Sequence, residues 1–376
     1  MKKLSLYWKL VIVIAILTAA LNLIAISAAF CDAYTDTLYS VISDVGGRIT
    51  DFFPFILGEL LMYLSAFALV AAVILALLLI PLHKKERFKK ATVHFLKGLL
   101  MYVVIILFIY TVNWSIPFRG RLLGGGYETT VDCDAVHLRA LREYLILKLN
   151  EEAKLVPRND AGTVIWPDNE TVREEISISM HRLSYRYPRL SGYYPKLKAA
   201  WCSEVLDYMF IAGYTYPYTM ELTWNRYIDR FDYPSLFAHE ASHHQGYYKE
   251  NEANYLSFLA CTTSEDPTLR YSGYYDAYYY VNKAYASYVN NLDEETKNSY
   301  ESIKLSDTVL RDKAESLAAA QAEFDERAGA FDFLKSAAEQ TADVGWETQG
   351  EVLGSNSYDG VVPLLLEHFK GTLYEQ

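Results

Sequence analysis

The 376-residue chain has only four cysteines, Cys31, Cys133, Cys202 and Cys261, and no two are spaced as a zinc-finger or CxxC redox pair. That excludes closely spaced thiolate centres. Disulfides stay open for cysteines outside the cytoplasm, with three possible pairings among which the sequence does not choose. No internal repeat is evident, and after the first third acidic residues outnumber basic ones. Of 46 acidic and 35 basic residues, six and ten precede Ser115, so the rest of the chain carries 40 against 25. An acidic excess of that size argues against nucleic acid as a partner and against docking on anionic lipid.

What the chain does have is three long runs without a charge, at 10–30, 60–82 and 98–118. Rising about 1.5 Å per residue, a helix of that length crosses hydrocarbon about 30 Å thick. The first run exceeds the roughly 7–15 apolar residues of a secretory signal. Phe30, before Cys31, is also not the small residue that a lipoprotein cleavage site needs. The run therefore reads as a retained span.

Orientation follows from the flanks. Lys2, Lys3 and Lys9 precede the first run, and Lys84, Lys85, Arg87, Lys89, Lys90 and Lys97 lie between the second and third. The loop at 31–51 has only Arg48 against Asp32, Asp36, Asp44 and Asp51. Short basic loops stay cytoplasmic. Residues 1–118 thus read as a three-span transmembrane region with a cytoplasmic N-terminus, and 119–376 as an extracytoplasmic domain.

Beyond the spans, "RGRLLGGGYE" reads as a linker. Residues 136–149 have helical apolar spacing. Asp168 can cap a second helix, which carries Val172, Ile176, Met180 and Leu183 on one face. A further helix is expected over 199–211, and two long ones over 306–328 and 331–353. The alternation in "YTMELTWN", 218–225, predicts a half-buried strand, with Pro217 placing it at an edge or a strand start. The tyrosine-rich stretch "RYSGYYDAYYYVNKAYASY" reads mainly as helix packing and membrane-interface contact.

The chemistry concentrates in "FAHEASHHQGYYKENEAN", 237–254. Pro234 suits the first turn of a helix and Gly246 its exit. His239 and His243, four apart, share a face one turn from each other, so both imidazoles can reach one metal ion. Glu240 lies beside them, where it suits a base acting on water. H-E-x-x-H is therefore a zinc half-site with a general base. A third ligand is needed, and Glu250 or Glu252 can supply it. Glu250 fits better, because it shares its helix face with the short residues Ala253, Asn254, Ser257 and Cys261, whereas Glu252 shares its face with Leu256 and Leu259. Asn254 can hydrogen-bond a ligand histidine. His244 faces away from the pair and is expected at the surface or supporting the site.

"HEASH" followed by "ENEAN" resembles zinc peptidases of the gluzincin type, which carry the third ligand in an E-x-x-A-[DN] motif matched by Glu250, Ala253 and Asn254. The longer stretch "GYTYPYTMELTWN…FAHEASHHQGYYKENEANYLSFLAC" resembles a bacterial membrane-anchored family, domain of unknown function 3810, as does "SNSYDGVVPLLLEHF" more loosely. The likeness implies a mainly α fold with a small β-sheet (α+β, zincin-like), anchored in a bacterial plasma membrane. It implies Zn2+ held by His239, His243 and Glu250, with Glu240 as general base and Tyr358 steadying the oxyanion. The substrate would be a peptide or protein, extended along the strand at 218–225. A departure is the spacing: Glu250 lies seven residues past His243, where better-known gluzincins place the ligand some twenty or more away, so Gly246 must allow a tight turn. The competing expectation is an inactive zincin-like binding or signalling module at the cell surface; the intact His239, Glu240 and His243 favour the enzyme. An intramembrane protease is ruled out because the motif lies far from any span, and a transporter because the spans carry no polar stripe.

Overall fold

The structure, a computed structural model, describes residues 4–125, 127–290, 303–327 and 360–374. The expected helix at 331–353 and Tyr358 lie outside the described residues. The chain is mostly helical with one small three-stranded sheet. It divides into two compact units: Met1–Arg121 with Tyr216–Glu221, and Leu122–Thr215 with Leu222–Gln376.

In the first unit, the first apolar run does not stay in one helix. α1 (Leu6–Ile24) ends early, and α2 (Ala28–Tyr34) begins under Ser27, whose hydroxyl accepts the Phe30 amide at 3.4 Å. A serine in that position satisfies an amide that has no partner inside the helix, which is why the break falls there. A π turn, Thr35–Tyr39, leads into α3 (Ser40–Thr50). α4 (Leu57–Leu82) and α5 (Glu86–Tyr110) follow, and a second π turn carries α5 into α6 (Ile116–Phe118).

The helical stretches Leu6–Ile24, Leu57–Leu82 and Glu86–Phe118 are long and apolar enough to cross a membrane. Phe67, Ile80 and Leu107 are among the large side chains they leave exposed, an outer surface that suits lipid rather than water. Polar groups in these helices bond to each other: Asn22 Nδ2 donates to Thr111 Oγ1 (3.0 Å), and the Ser65 and Tyr102 hydroxyls are 2.5 Å apart. The Glu221 carboxylate is buried and accepts the amides of Leu57 (3.0 Å) and Gly58 (2.8 Å), so it caps the N-terminus of α4. Asn113 Nδ2 donates to the Pro217 carbonyl at 2.7 Å.

The second unit opens with α7 (Ala135–Glu152), capped by Asp134, and α8 (Asn169–Leu183), capped by Asp168, which accepts the Thr171 amide at 2.8 Å. Val172, Ile176 and Met180 are buried on α8, as their spacing predicts. Next come β1 (Leu197–Ala199), α9 (Ser203–Tyr208), β2 (Gly213–Tyr216) and β3 (Glu221–Trp224). α10 (Tyr233–His244), α11 (Glu250–Thr262), α12 (Pro267–Asn290), α13 (Asp307–Arg327) and α14 (Val361–Phe369) complete the described elements. Leu141, Leu145, Leu149, Leu256, Tyr271, Val281 and Leu365 belong to one buried core shared by α7, α11, α12 and α14. Tyr271, Tyr274 and Tyr285 are buried there, so much of the tyrosine-rich stretch is packing.

Three expectations change. The helix at 199–211 shrinks to Ser203–Tyr208, because Ala199 ends a strand. The strand at 218–225 starts only at Glu221, since 217–220 is a turn. Its alternation does not produce a half-buried ribbon either. Glu221, Leu222 and Thr223 are all buried, because Glu221 is engaged by amides and the Thr223 hydroxyl donates to the Tyr214 carbonyl at 2.6 Å. The strand order is β1-β3-β2, with β1 parallel to β3 and Leu197 opposite Leu222. β3 is therefore the central strand and has no free edge along which to pair a substrate.

Candidate metal centre

α10 and α11 meet in a corner built by five linking residues, 245–249. Pro234 stands in the first turn of α10, where its missing amide hydrogen is no loss. Gly246, at φ 89°, ends the helix; its amide donates to the His243 carbonyl (2.9 Å) and the Tyr247 amide to the Ser242 carbonyl (3.0 Å). The start of α11 is set by Glu252. Its buried carboxylate accepts the Lys249 amide at 3.3 Å, closing a capping box, and also the amide of Leu123. Glu252 is thus fully committed to backbone donors.

That corner sets the two helices in an antiparallel register readable from three contacts. The Ser257 hydroxyl donates to the Ser235 carbonyl (2.7 Å), Asn254 meets His239, and Glu250 meets both histidines. His239 Nε2 is 3.2 Å from Glu250 Oε2, and His243 Nε2 is 3.5 Å from Glu250 Oε1. One ligand atom from each of His239, His243 and Glu250 lies within 4.8 Å of the others. Ligands about 2.0–2.2 Å from a tetrahedral zinc ion stand about 3.3–3.5 Å apart, close to the two carboxylate–imidazole separations.

The far side of each ring decides what the near side can be. His243 Nδ1 faces the Tyr247 carbonyl at 2.9 Å; a carbonyl only accepts, so Nδ1 carries the proton. His239 Nδ1 donates in the same way to Asn254 Oδ1 at 2.7 Å. In the neutral rings both Nε2 atoms are then lone-pair acceptors, and they point at a carboxylate that is also an acceptor. Glu250 Oε2 is buried without a hydrogen-bond donor. Two imidazole nitrogens and a carboxylate converging on one point call for positive charge, supplied by a proton on an imidazole or by a metal ion.

The protonation energetics agree. Burial opposes charge on His243, but the Glu250 carboxylate outweighs it and pushes the imidazole up to about 9. Burial likewise works to raise Glu250, yet His243 and His239 hold it well below the usual carboxylate range. The centre favours positive charge, and the donor set of two imidazoles and one carboxylate would fit zinc.

Glu240 points into the same space from α10. It is buried, and its Oε2 accepts the Thr215 hydroxyl of β2 at 2.9 Å. Burial pushes its carboxyl up, against the pull of His239, His243 and Thr215. β2 is an edge strand, so the strand beside the centre is β2 rather than β3. His244 is fully buried rather than at the surface. Thr215 was missed in the sequence because its link to Glu240 spans 25 residues and depends on where β2 begins. The four cysteines are free thiols in the described structure, and Cys261 is buried.

The family described as "Protein of unknown function (DUF3810)" matches residues 34–366, and the chain belongs to it. No curated protein and no solved structure matches the chain.

Proposed function

We propose that this protein is a membrane-anchored zinc metallopeptidase of the HExxH type, with the second unit on the extracytoplasmic face of a bacterial plasma membrane. One observation carries the reading: the Nε2 atoms of His239 and His243 and the carboxylate of Glu250 converge within 4.8 Å of one another, beside the buried carboxylate of Glu240. The sidedness rests on the excess of lysine and arginine between the second and third apolar runs, and the zincin-like character on the H-E-x-x-H pattern with its glutamate on the following helix.

His239, His243 and Glu250 would hold the ion. When bound, zinc supplies Lewis-acid activation of water and of a peptide carbonyl. The chain's own residues do the rest. Asn254 and the Tyr247 carbonyl keep the two rings in the tautomer that offers Nε2. Glu240 accepts a proton from the attacking water and passes it to the leaving amine, while Thr215 fixes its carboxylate. β2, the outer strand of the sheet, lies where an extended substrate would run past Glu240. Tyr358 as oxyanion donor lies outside the described residues and keeps only the support of the resemblance.

The test is metal analysis and peptide digestion with the full-length chain in detergent or nanodiscs. The expected result is one zinc per chain, hydrolysis of a peptide library, and loss of that hydrolysis in Glu240→Gln with zinc retained. A chain that binds no zinc ends the proposal. A chain that binds zinc and peptides but cleaves none, with Glu240→Gln indistinguishable from the parent, identifies the non-catalytic binding module instead.

A further inference from the structure

α12 forms a third wall of the metal centre. Ser235 and Ser272 share a hydrogen bond between their hydroxyls at 2.7 Å, and the Ser235 amide donates to the Ser272 hydroxyl at 3.3 Å. A Cβ added at Gly273 would run into the side chain of Cys261 on α11, so α12 lies close against both neighbouring helices. α12 returns antiparallel to α11 and is therefore parallel to α10. From the Ser235–Ser272 contact, each step of one turn along both helices pairs the next residues: His239 with Asp276, then His243 with Tyr280. The electrostatics follow that register, with Asp276 coupled to His239 and Tyr280 to Glu250.

Asp276 has no hydrogen bond and no ion pair among the described residues, and it is only partly buried. His239 does not need it, because the Nδ1 of that ring is already taken by Asn254. Lys313 of α13, whose charge reaches Asp276, is paired with Asp229 (2.8 Å) and Asp232 (2.7 Å). A structural carboxylate is normally answered by donors, as Glu252 and Glu221 are here. Asp276 has no such donor among the described residues and stays partly exposed.

We propose that Asp276 is the specificity carboxylate of the cleft and receives an ammonium or guanidinium group of the substrate beside the metal centre. The inference rests on the peptidase reading and adds the substrate class: peptides with a positive charge close to the scissile bond. That charge can be a free amino terminus or a lysine or arginine side chain, and both present the same cationic donor to the carboxylate.

The probe is a random hexapeptide library in four forms, with free or acetylated amino termini, each with or without lysine and arginine. It is equilibrated with the zinc-loaded, full-length Glu240→Gln chain in nanodiscs, and the retained peptides are read by mass spectrometry. The expected result is enrichment of the cationic forms. The form enriched tells amino terminus from side chain, and Asp276→Asn lowers its retention by about tenfold or more. Asp276→Glu keeps the charge and restores the preference, and zinc content is unchanged in both variants. Retention without a cationic preference, or a preference untouched by Asp276→Asn, overturns this inference and leaves the peptidase reading intact. Loss of zinc from Asp276→Asn overturns it by assigning the carboxylate to the metal. If no form of the library is retained, the peptidase reading falls and this inference with it.

Discussion

The first unit buries the carboxylate of Glu221 and the second that of Glu250, and the two are met by opposite partners. Glu221 is surrounded by donors, the amides of Leu57 and Gly58 at the start of a long apolar helix. Glu250 instead faces two imidazole nitrogens, each ring held from its far side by a hydrogen bond at Nδ1. Burying a carboxylate is costly in both places. In the first unit the backbone settles that cost locally, and the residue is part of the architecture. In the second unit it is settled by positive charge on or between the two imidazoles, which is why we read that residue as a metal ligand. Glu252, two positions from Glu250, has the Glu221 pattern, so the two glutamates differ chiefly in partner chemistry.

The largest expected effect strikes the second pattern directly. Glu250→Gln keeps the shape and removes the charge, and zinc affinity should fall by more than about a hundredfold, beyond the losses typical of supporting residues. Metal titration of the purified chain measures it, and unchanged affinity would mean the convergence is accidental. Asn254→Ala sharpens the same side. His239 loses the acceptor that fixes its tautomer, so affinity should drop about 10–100-fold while Glu252→Gln, by the same titration, leaves it close to the parent value. Glu221→Ala breaks the first pattern. The amides of Leu57 and Gly58 lose their acceptor, and stability should fall by about 1–3 kcal/mol with zinc content unaltered, read by thermal unfolding alongside metal analysis.

The smallest effect concerns a third carboxylate, Glu367 of α14, which accepts the Thr130 amide (2.7 Å) and the Val131 amide (3.1 Å). These bonds hold its carboxyl below the ordinary 4.5. Its contribution is therefore fully present above that value and is lost as pH falls through the lower folded-state value. Amide exchange at Thr130 should quicken over that acid range in the parent chain. In Glu367→Gln it should already be fast at neutral pH.

The histidine pair was legible because everything it needs is local: a four-residue step puts both rings on one face of one helix whatever surrounds it. The choice of Glu250 over Glu252 was legible from the short residues that share its face, since two helices that approach closely need them. The hairpin was misread. Alternation at 218–225 shows which residues differ in polarity, but not that 217–220 turns or that Glu221 finds amides in another part of the chain. The early end of α1 was hidden inside an uncharged run, because Ser27 caps a helix without adding charge. Asp276 could not be found at all. Its place beside His239 follows from a serine–serine contact between helices 37 residues apart in sequence, and tyrosines on either side drew attention instead.

The two ligand histidines are steadied by different kinds of group, a side chain for His239 and a main-chain carbonyl for His243. Substitution can exchange Asn254 for aspartate, serine or alanine and so retune one ring, but no codon change removes the oxygen of residue 247. Any drift in metal preference must therefore enter through the His239 half, while the His243 half persists as long as the turn at Gly246 does. If the centre holds zinc as proposed, an engineer wishing to swap it for a harder or softer ion would begin at position 254.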